Sequence, residues 1–255
     1  MKRPFAPRLK RNPQADELPS MTKSDGSGSS ALVRGVIFDM DGVLVDSYGA
    51  HLESWIVTAE AYGQRLTEAQ FQQTFGRTSR EIIRTHWGEG ALSEEQIKRF
   101  DDRKEALYSE IVAEHFPEMG GARDLIHALH AAGFRIAIGS SGPPENIELA
   151  ISQLKVQDQI DAIVTGRDVT KGKPDPQVFL IAAQRLGLPP EQCAVIEDAT
   201  PGIAAANAAG MVSVALLSTG HTPEDAREAD HVVDRLNELC PERLAEWIDQ
   251  APRKR

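Results

Sequence analysis

Cysteine is scarce in this chain of 255 residues, two in all, and aromatic residues make up 5%. Cys193 and Cys240 lie far apart, without the short paired spacing of a metal site and without the count that a disulfide framework needs. They read as reduced thiols of a cytoplasmic protein. No apolar run approaches the roughly 20 residues of a membrane span, so no membrane partner is expected. Surplus positive charge is also missing. Against 38 Asp and Glu stand 28 Lys and Arg, a net charge of −10, which offers no footprint for a nucleic acid. An acidic chain that handles an anion needs local positive charge from a divalent metal, a lysine or backbone amides.

What is present is an ordinary globular composition, 41% hydrophobic and 26% charged. The length suits one large domain or a core carrying an inserted subdomain. Residues 1–32 differ from the rest. A basic, proline-containing stretch (MKRPFAPRLKRNPQ) gives way to a polar one (SMTKSDGSGSS). With no apolar core for a secretory signal, and with acidic residues that speak against a transit peptide, this segment reads as a disordered tail, and Met21 is a candidate natural start. Residues 251–255 read as a short basic C-terminal tail.

Between the tails the pattern is regular. A β-branched run at 33–38 predicts a buried strand, and 47–62 has helical spacing closed by Gly63. Residues 66–115 contain no strand pattern and predict helices over 67–74, 78–87 and 93–115. Then helix and strand alternate. Helices are expected at 121–132, 144–154, 176–186, 201–209 and 236–248, and strands at 134–138, 162–165, 193–196, 212–216 and 231–233. Repeated units of this size predict an α/β fold, a Rossmann-like doubly wound parallel sheet covered on both faces. Residues 33–47 and 117–250 would form that core. The helical stretch 48–116 would be an insertion, an α-helical cap over the sheet edge where ligands bind.

Polar residues gather at the predicted carboxyl ends of the strands. The first strand stops at Asp39 and Asp41, followed by Gly42. Two acids so placed repel each other unless a cation, a proton or a reaction holds them. A carboxylate nucleophile with a second carboxyl as acid and base would account for the pair. The second strand ends in Gly139-Ser140-Ser141-Gly142, the third is followed by Lys173 within GRDVTKGKPDP, and the fourth ends in Glu197-Asp198. Each alone has a bland reading as a turn, a connector or a helix cap. Together they describe one site.

In these segments the chain resembles the haloacid-dehalogenase-like hydrolase superfamily: DMDGVLVDS is similar to its first motif, Ser140 to its second, Lys173 in GKPDP to its third and IEDATPGIAAANAAG to its fourth. The helical insertion after the first motif resembles the cap of the subfamily that contains β-phosphoglucomutase and the sugar-phosphate and phosphoglycolate phosphatases. The resemblance implies phosphoryl transfer, because the dehalogenases of the superfamily lack an acid at the position of Asp41. It implies Asp39 as nucleophile, Asp41 as acid and base with a raised pKa, and Ser140 and Lys173 as catalytic groups. Mg2+ would be held by Asp39, Asp41 through its backbone carbonyl, Asp198 and Glu197.

Substrate choice would lie in the cap. His51 and Trp55 stand one helical turn apart, and Arg77 and Arg80 flank a helix start where a guanidinium would grip a second phosphate or a carboxylate. Ser141 is a further phosphate-binding candidate, and Lys104 resembles a cap lysine of β-phosphoglucomutase-like proteins. Where the mutase has a lysine before the Gly-x-Ser-Arg of its cap loop this chain has none, Ala199 replaces a serine, and Ser141 is followed by Gly142-Pro143-Pro144. The expectation is therefore a Mg2+-dependent phosphatase of a small phosphorylated metabolite, a monomer or small homo-oligomer. The alternatives are a phosphomutase and, further off, a non-catalytic binding protein.

Overall fold

The computed structural model describes residues 32–75 and 77–252. The expectations for the basic N-terminal segment, for Met21 and for residues 253–255 fall outside the described residues.

Six parallel strands form the sheet: β1 (Gly35–Phe38), β2 (Arg135–Gly139), β3 (Ala162–Val164), β4 (Cys193–Glu197), β5 (Val212–Leu216) and β6 (His231–Val233), in the order β3-β2-β1-β4-β5-β6. Side chains alternate across it, as a period of two requires. Val36, Phe38, Ile136, Ile138, Ala194 and Ile196 enter one apolar layer, and Ile37, Ala137, Cys193 and Val195 enter the other. The first layer is covered by α5 (Ala122–Ala131), α6 (Pro144–Leu154) and α9 (Pro241–Gln250), the second by α7 (Gln177–Leu186) and α8 (Thr200–Ala208). Because β1 and β4 are buried on both faces, they read as continuous apolar runs.

The chain leaves β1 toward β2 on one side and later places β4 on the other, so the order reverses between these two strands. Crevices open at such a reversal, outside the carboxyl ends.

Between β1 and α5 the described residues form four helices: α1 (Tyr48–Ala61), α2 (Glu68–Thr74), α3 (Ser79–Trp87) and α4 (Glu94–Glu114). Three of them start at a capping box, with Thr67, Thr78 and Ser93 each receiving the N3 backbone N–H and Gln70, Glu81 and Gln96 reaching back. Their apolar faces share a cluster that includes Trp55, Phe71, Ile82, Ile97 and Phe100.

One expected element differs. The helix predicted over 236–248 is divided into a 3-10 turn at Leu236–Glu238 and α9, which starts at Pro241. Proline has no N–H to give inside a helix but fits the first turn, so the chain restarts there. No helix among the described residues is long and apolar enough to cross a membrane.

Candidate active site

Asp39 follows the last residue of β1, and its backbone N–H donates to the Ile196 carbonyl of β4 at 2.9 Å, which ties the two central strand ends together. Asp39, Glu197 and Asp198 are all buried and bring carboxylate oxygens within 4.8 Å of one another. Lys173 Nζ lies between two of them, donating to Asp39 Oδ1 at 2.7 Å and to Glu197 Oε1 at 2.8 Å. Glu197 Oε2 accepts the Ala199 N–H at 2.6 Å, so both of its oxygens are engaged by the protein.

The local backbone makes room for these acids. A Cβ on Gly42, which has φ +75°, would stand 1.7 Å from Asp198 Oδ2, and one on Gly202 would stand 1.7 Å from Glu197 Oε1. Both glycines are places where a carboxylate occupies the space of a side chain. The Ser140 backbone N–H donates to Val164 at the end of β3, and its Oγ accepts from the Gly142 N–H at 3.0 Å. That places a buried hydroxyl in a short polar turn beside the acids.

Electrostatics follow from crowding. Burial lifts the Asp39 carboxyl well above the usual carboxylate range, against the pull of Lys173, and the charges of Glu197 and Asp198 push the same way. Burial also raises Glu197, again opposed by Lys173. Burial disfavours the Lys173 ammonium, but the charges of Asp39 and Glu197 outweigh it and raise the lysine pKa. One ammonium does not neutralise three buried carboxylates. Asp39 Oδ2 and Asp198 Oδ1 accept no hydrogen bond from the described residues. Clustered hard oxygen donors of this kind fit a divalent cation.

Asp41 behaves differently from the expectation of a raised pKa. Burial pushes its carboxyl up, but contacts with His51 and Tyr108 outweigh this and bring it below the ordinary value. Tyr108 donates its hydroxyl to Asp41 Oδ1 at 2.7 Å. His51 Nε2 stands 3.6 Å from the same oxygen, its ring stacked on Tyr108 at 4.2 Å. Both partners come from the helical block, His51 from α1 and Tyr108 from α4. The next residue, Ser109, donates to Asn146 Oδ1 on α6 at 2.9 Å, so α4 is joined to the sheet-bearing part at two successive positions.

A cavity of about 420 Å³ joins these groups. The strand ends contribute Asp39, Asp41, Ser140, Ser141, Lys173, Glu197 and Asp198 to its walls; the helical block contributes His51, Trp55, Arg77 and Lys104. Trp55 packs at 5.0 Å against Phe100 while lining the cavity. Lys104 is buried, pairs with Glu105 and lies 5.9 Å from the Trp55 ring centroid. Arg80 is not among the lining residues; it is half-exposed and pairs with Glu94.

Three residues at the site escaped the sequence reading. Tyr108 carried a signal, because Ile97, Phe100, Lys104, Tyr108 and Val112 form one buried stripe of α4 and a lysine inside an apolar stripe calls for an explanation. Ser218 and His221, on the turn after β5, carried none: they stand in an aperiodic polar loop, STGHTPED.

Residues 33–210 match the family model described as haloacid dehalogenase-like hydrolase. The chain belongs to this family, and it is an enzyme of its phosphatase kind. A "Phosphorylated carbohydrates phosphatase" of Thermotoga maritima is 31% identical over 179 residues, 69% of this chain and 81% of the relative. A "Beta-phosphoglucomutase" of Bacillus subtilis is 30% identical over 224 residues, 86% of this chain and 96% of the relative. Among solved structures, a β-phosphoglucomutase from Clostridium difficile superposes with a TM-score of 0.74 at 27% identity, covering 86% of this chain and 98% of that one.

Proposed function

We propose that the protein hydrolyses a small phosphomonoester, a sugar phosphate or a phosphoglycolate-like compound, through an aspartyl-phosphate on Asp39, and that it works with Mg2+ in the cytoplasm. The observation that carries this reading is the buried cluster of Asp39, Glu197 and Asp198 around Lys173, with Asp41 beside it in the same cavity. The reading also treats residues 48–116 as a cap on a core made of 33–47 and 117–250.

Phosphoryl transfer is mainly positioning and charge neutralisation. An oxygen of Asp39 attacks phosphorus while the bond to the ester oxygen breaks, and the leaving oxygen takes a proton from Asp41. Water then attacks phosphorus, gives its proton to Asp41, and the bond to Asp39 breaks to release phosphate. The Ser140 hydroxyl, with Ser141, would donate to phosphoryl oxygens, and Lys173 would hold the nucleophile's orientation and balance its charge. Mg2+, held by Asp39 and Asp198, with Glu197 through water and the Asp41 backbone carbonyl, would supply further neutralisation of the phosphoryl oxygens.

Asp41 must take and give a proton in one cycle. The contacts of His51 and Tyr108 favour its ionised form, which suits the water-activating half. The protonating half then requires those contacts to be exchanged for the leaving oxygen as substrate enters.

Mutase activity is the second reading, favoured by the Bacillus subtilis relative. It needs a second phosphate site. Of the two arginines offered for that role, Arg77 lines the cavity while Arg80 pairs with Glu94 outside it, so one of the two expected contacts is out of place. Incubation with β-glucose 1-phosphate and a trace of its bisphosphate separates the two: inorganic phosphate supports hydrolysis, and glucose 6-phosphate without phosphate release supports the mutase.

A further inference from the structure

We propose that Ser218 and His221 are positioning residues that fix the Asp198 carboxylate by its Oδ2, so that Oδ1 is oriented toward the cation position before any cation binds. This rests on the divalent-cation reading above.

The geometry is specific. Ser218 donates its hydroxyl to Asp198 Oδ2 at 2.7 Å, and His221 Nε2 lies 3.3 Å from the same oxygen. A third side of Oδ2 is closed by Gly42, where even a Cβ would collide. The serine has one hydroxyl hydrogen and spends it on this bond. The imidazole presents to Oδ2 the nitrogen that must carry hydrogen for the contact to be favourable. The hydroxyl bond and the imidazole contact thus both fall on one oxygen of a buried carboxylate and none on the other, among the described residues.

The turn that carries them is itself well held. Leu217 N–H donates to Val233 of β6, Ser218 N–H to Leu216, and His221 N–H to Ser218. The backbone N–H and hydroxyl of Thr222 both reach Asp225 Oδ2, at 2.7 Å and 2.8 Å. On its other side the imidazole meets the Phe75 ring at 5.4 Å, beyond the end of α2. A carboxylate already locked by such supports loses less rotamer freedom when it binds a metal, and outer supports of this kind typically contribute about 10- to 100-fold in metal affinity.

The alternative is that His221 only packs against Phe75 and that Ser218 only satisfies a buried acid. Mn2+ binding to the full chain, followed by the spectroscopic signal of free Mn2+, separates the two without any turnover. S218A removes one donor. H221F keeps a ring against Phe75 but removes the other, while H221Q keeps an N–H at similar reach. The proposal expects S218A and H221F each to weaken Mn2+ binding by about 10-fold and H221Q to stay within about 3-fold of wild type. Unfolding temperatures in chelator show which variants are folded, and S218A decides if H221F is not. Wild-type Mn2+ affinity in folded S218A and H221F overturns the proposal while leaving the metal reading intact. A wild-type protein that binds no Mn2+ overturns the metal reading, and the proposal with it.

Discussion

Tyr108 donates its hydroxyl to Asp41 Oδ1 at 2.7 Å, so α4 of the helical block reaches a carboxylate that β1 delivers 67 residues earlier in the chain. The bond joins the two parts of the protein at the group proposed to move protons. It also makes that group sensitive to anything that shifts α4.

Removing this hydroxyl alone tests the link. Y108F keeps the ring against His51 but takes a donor from Asp41, so the Asp41 pKa should rise. A hydrogen bond to a charged group contributes about 1.5–3 kcal/mol, so the basic limb of kcat/KM, where Asp41 loses the proton it gives to the leaving oxygen, should move upward by on the order of one pH unit. A basic limb at the wild-type position would show that Tyr108 does not influence the titrating group.

Lys173 is the cation shared by Asp39 and Glu197, and K173M leaves both acids buried without it. Breaking a buried ion pair on one side destabilises by about 3–5 kcal/mol. Denaturant unfolding in chelator should show a loss of that order, and phosphatase activity should disappear. Wild-type stability in chelator would mean that the acids are not ionised together in the metal-free protein.

Two glycines should respond in opposite ways to alanine. Gly202 has Glu197 Oε1 where its Cβ would go, so G202A must displace the glutamate from Lys173 and Ala199 and should cost about 1–3 kcal/mol along with most activity. Gly49 on α1 has nothing within 4 Å of a built Cβ, and G49A should stabilise by about 0.5–1 kcal/mol. Thermal unfolding of both variants checks the contrast, and equal effects would contradict the packing described.

Away from the site, Asp168 gives a pH test. The Arg185 guanidinium, with the Thr165 backbone N–H and hydroxyl, holds its carboxyl down to about 2. A depressed carboxyl stabilises the fold above its ordinary, unfolded-state pKa, and that contribution is lost as pH falls through the folded value near 2. D168N should therefore lower stability at neutral pH, and the difference from wild type should shrink on acidification from about pH 4 downward. A difference that is constant with pH would refute the assignment.

Much of this site was legible in the chain because its parts sit where regular structure ends. Buried apolar runs marked β1, β2 and β4, and a chemically distinctive residue follows the first two and ends the third: Asp39, Ser140, Glu197. Parallel topology then brings all the ends to one edge, so three-dimensional proximity followed from one-dimensional pattern. The rest depended on side-chain direction. Arg77 and Arg80 are three residues apart, yet Arg77 lines the cavity and Arg80 turns to Glu94, a choice that no spacing rule contains. Ser218 and His221 were invisible for a different reason: irregular loops have no periodicity, and their aim is set by the contacts they make. The lowered pKa of Asp41 likewise depends on His51 and Tyr108, two partners remote in sequence whose meeting needs the packed helical block.

The central claim is that Asp39 carries out metal-dependent phosphoester hydrolysis, and release of inorganic phosphate from a broad panel of phosphomonoesters tests it most directly. Wild type should release phosphate from at least one small sugar phosphate or phosphoglycolate when Mg2+ is supplied and should stop when it is chelated, while folded D39N should release none. Turnover by D39N at the wild-type rate, or no hydrolysis of any ester by wild type with Mg2+, would contradict the account.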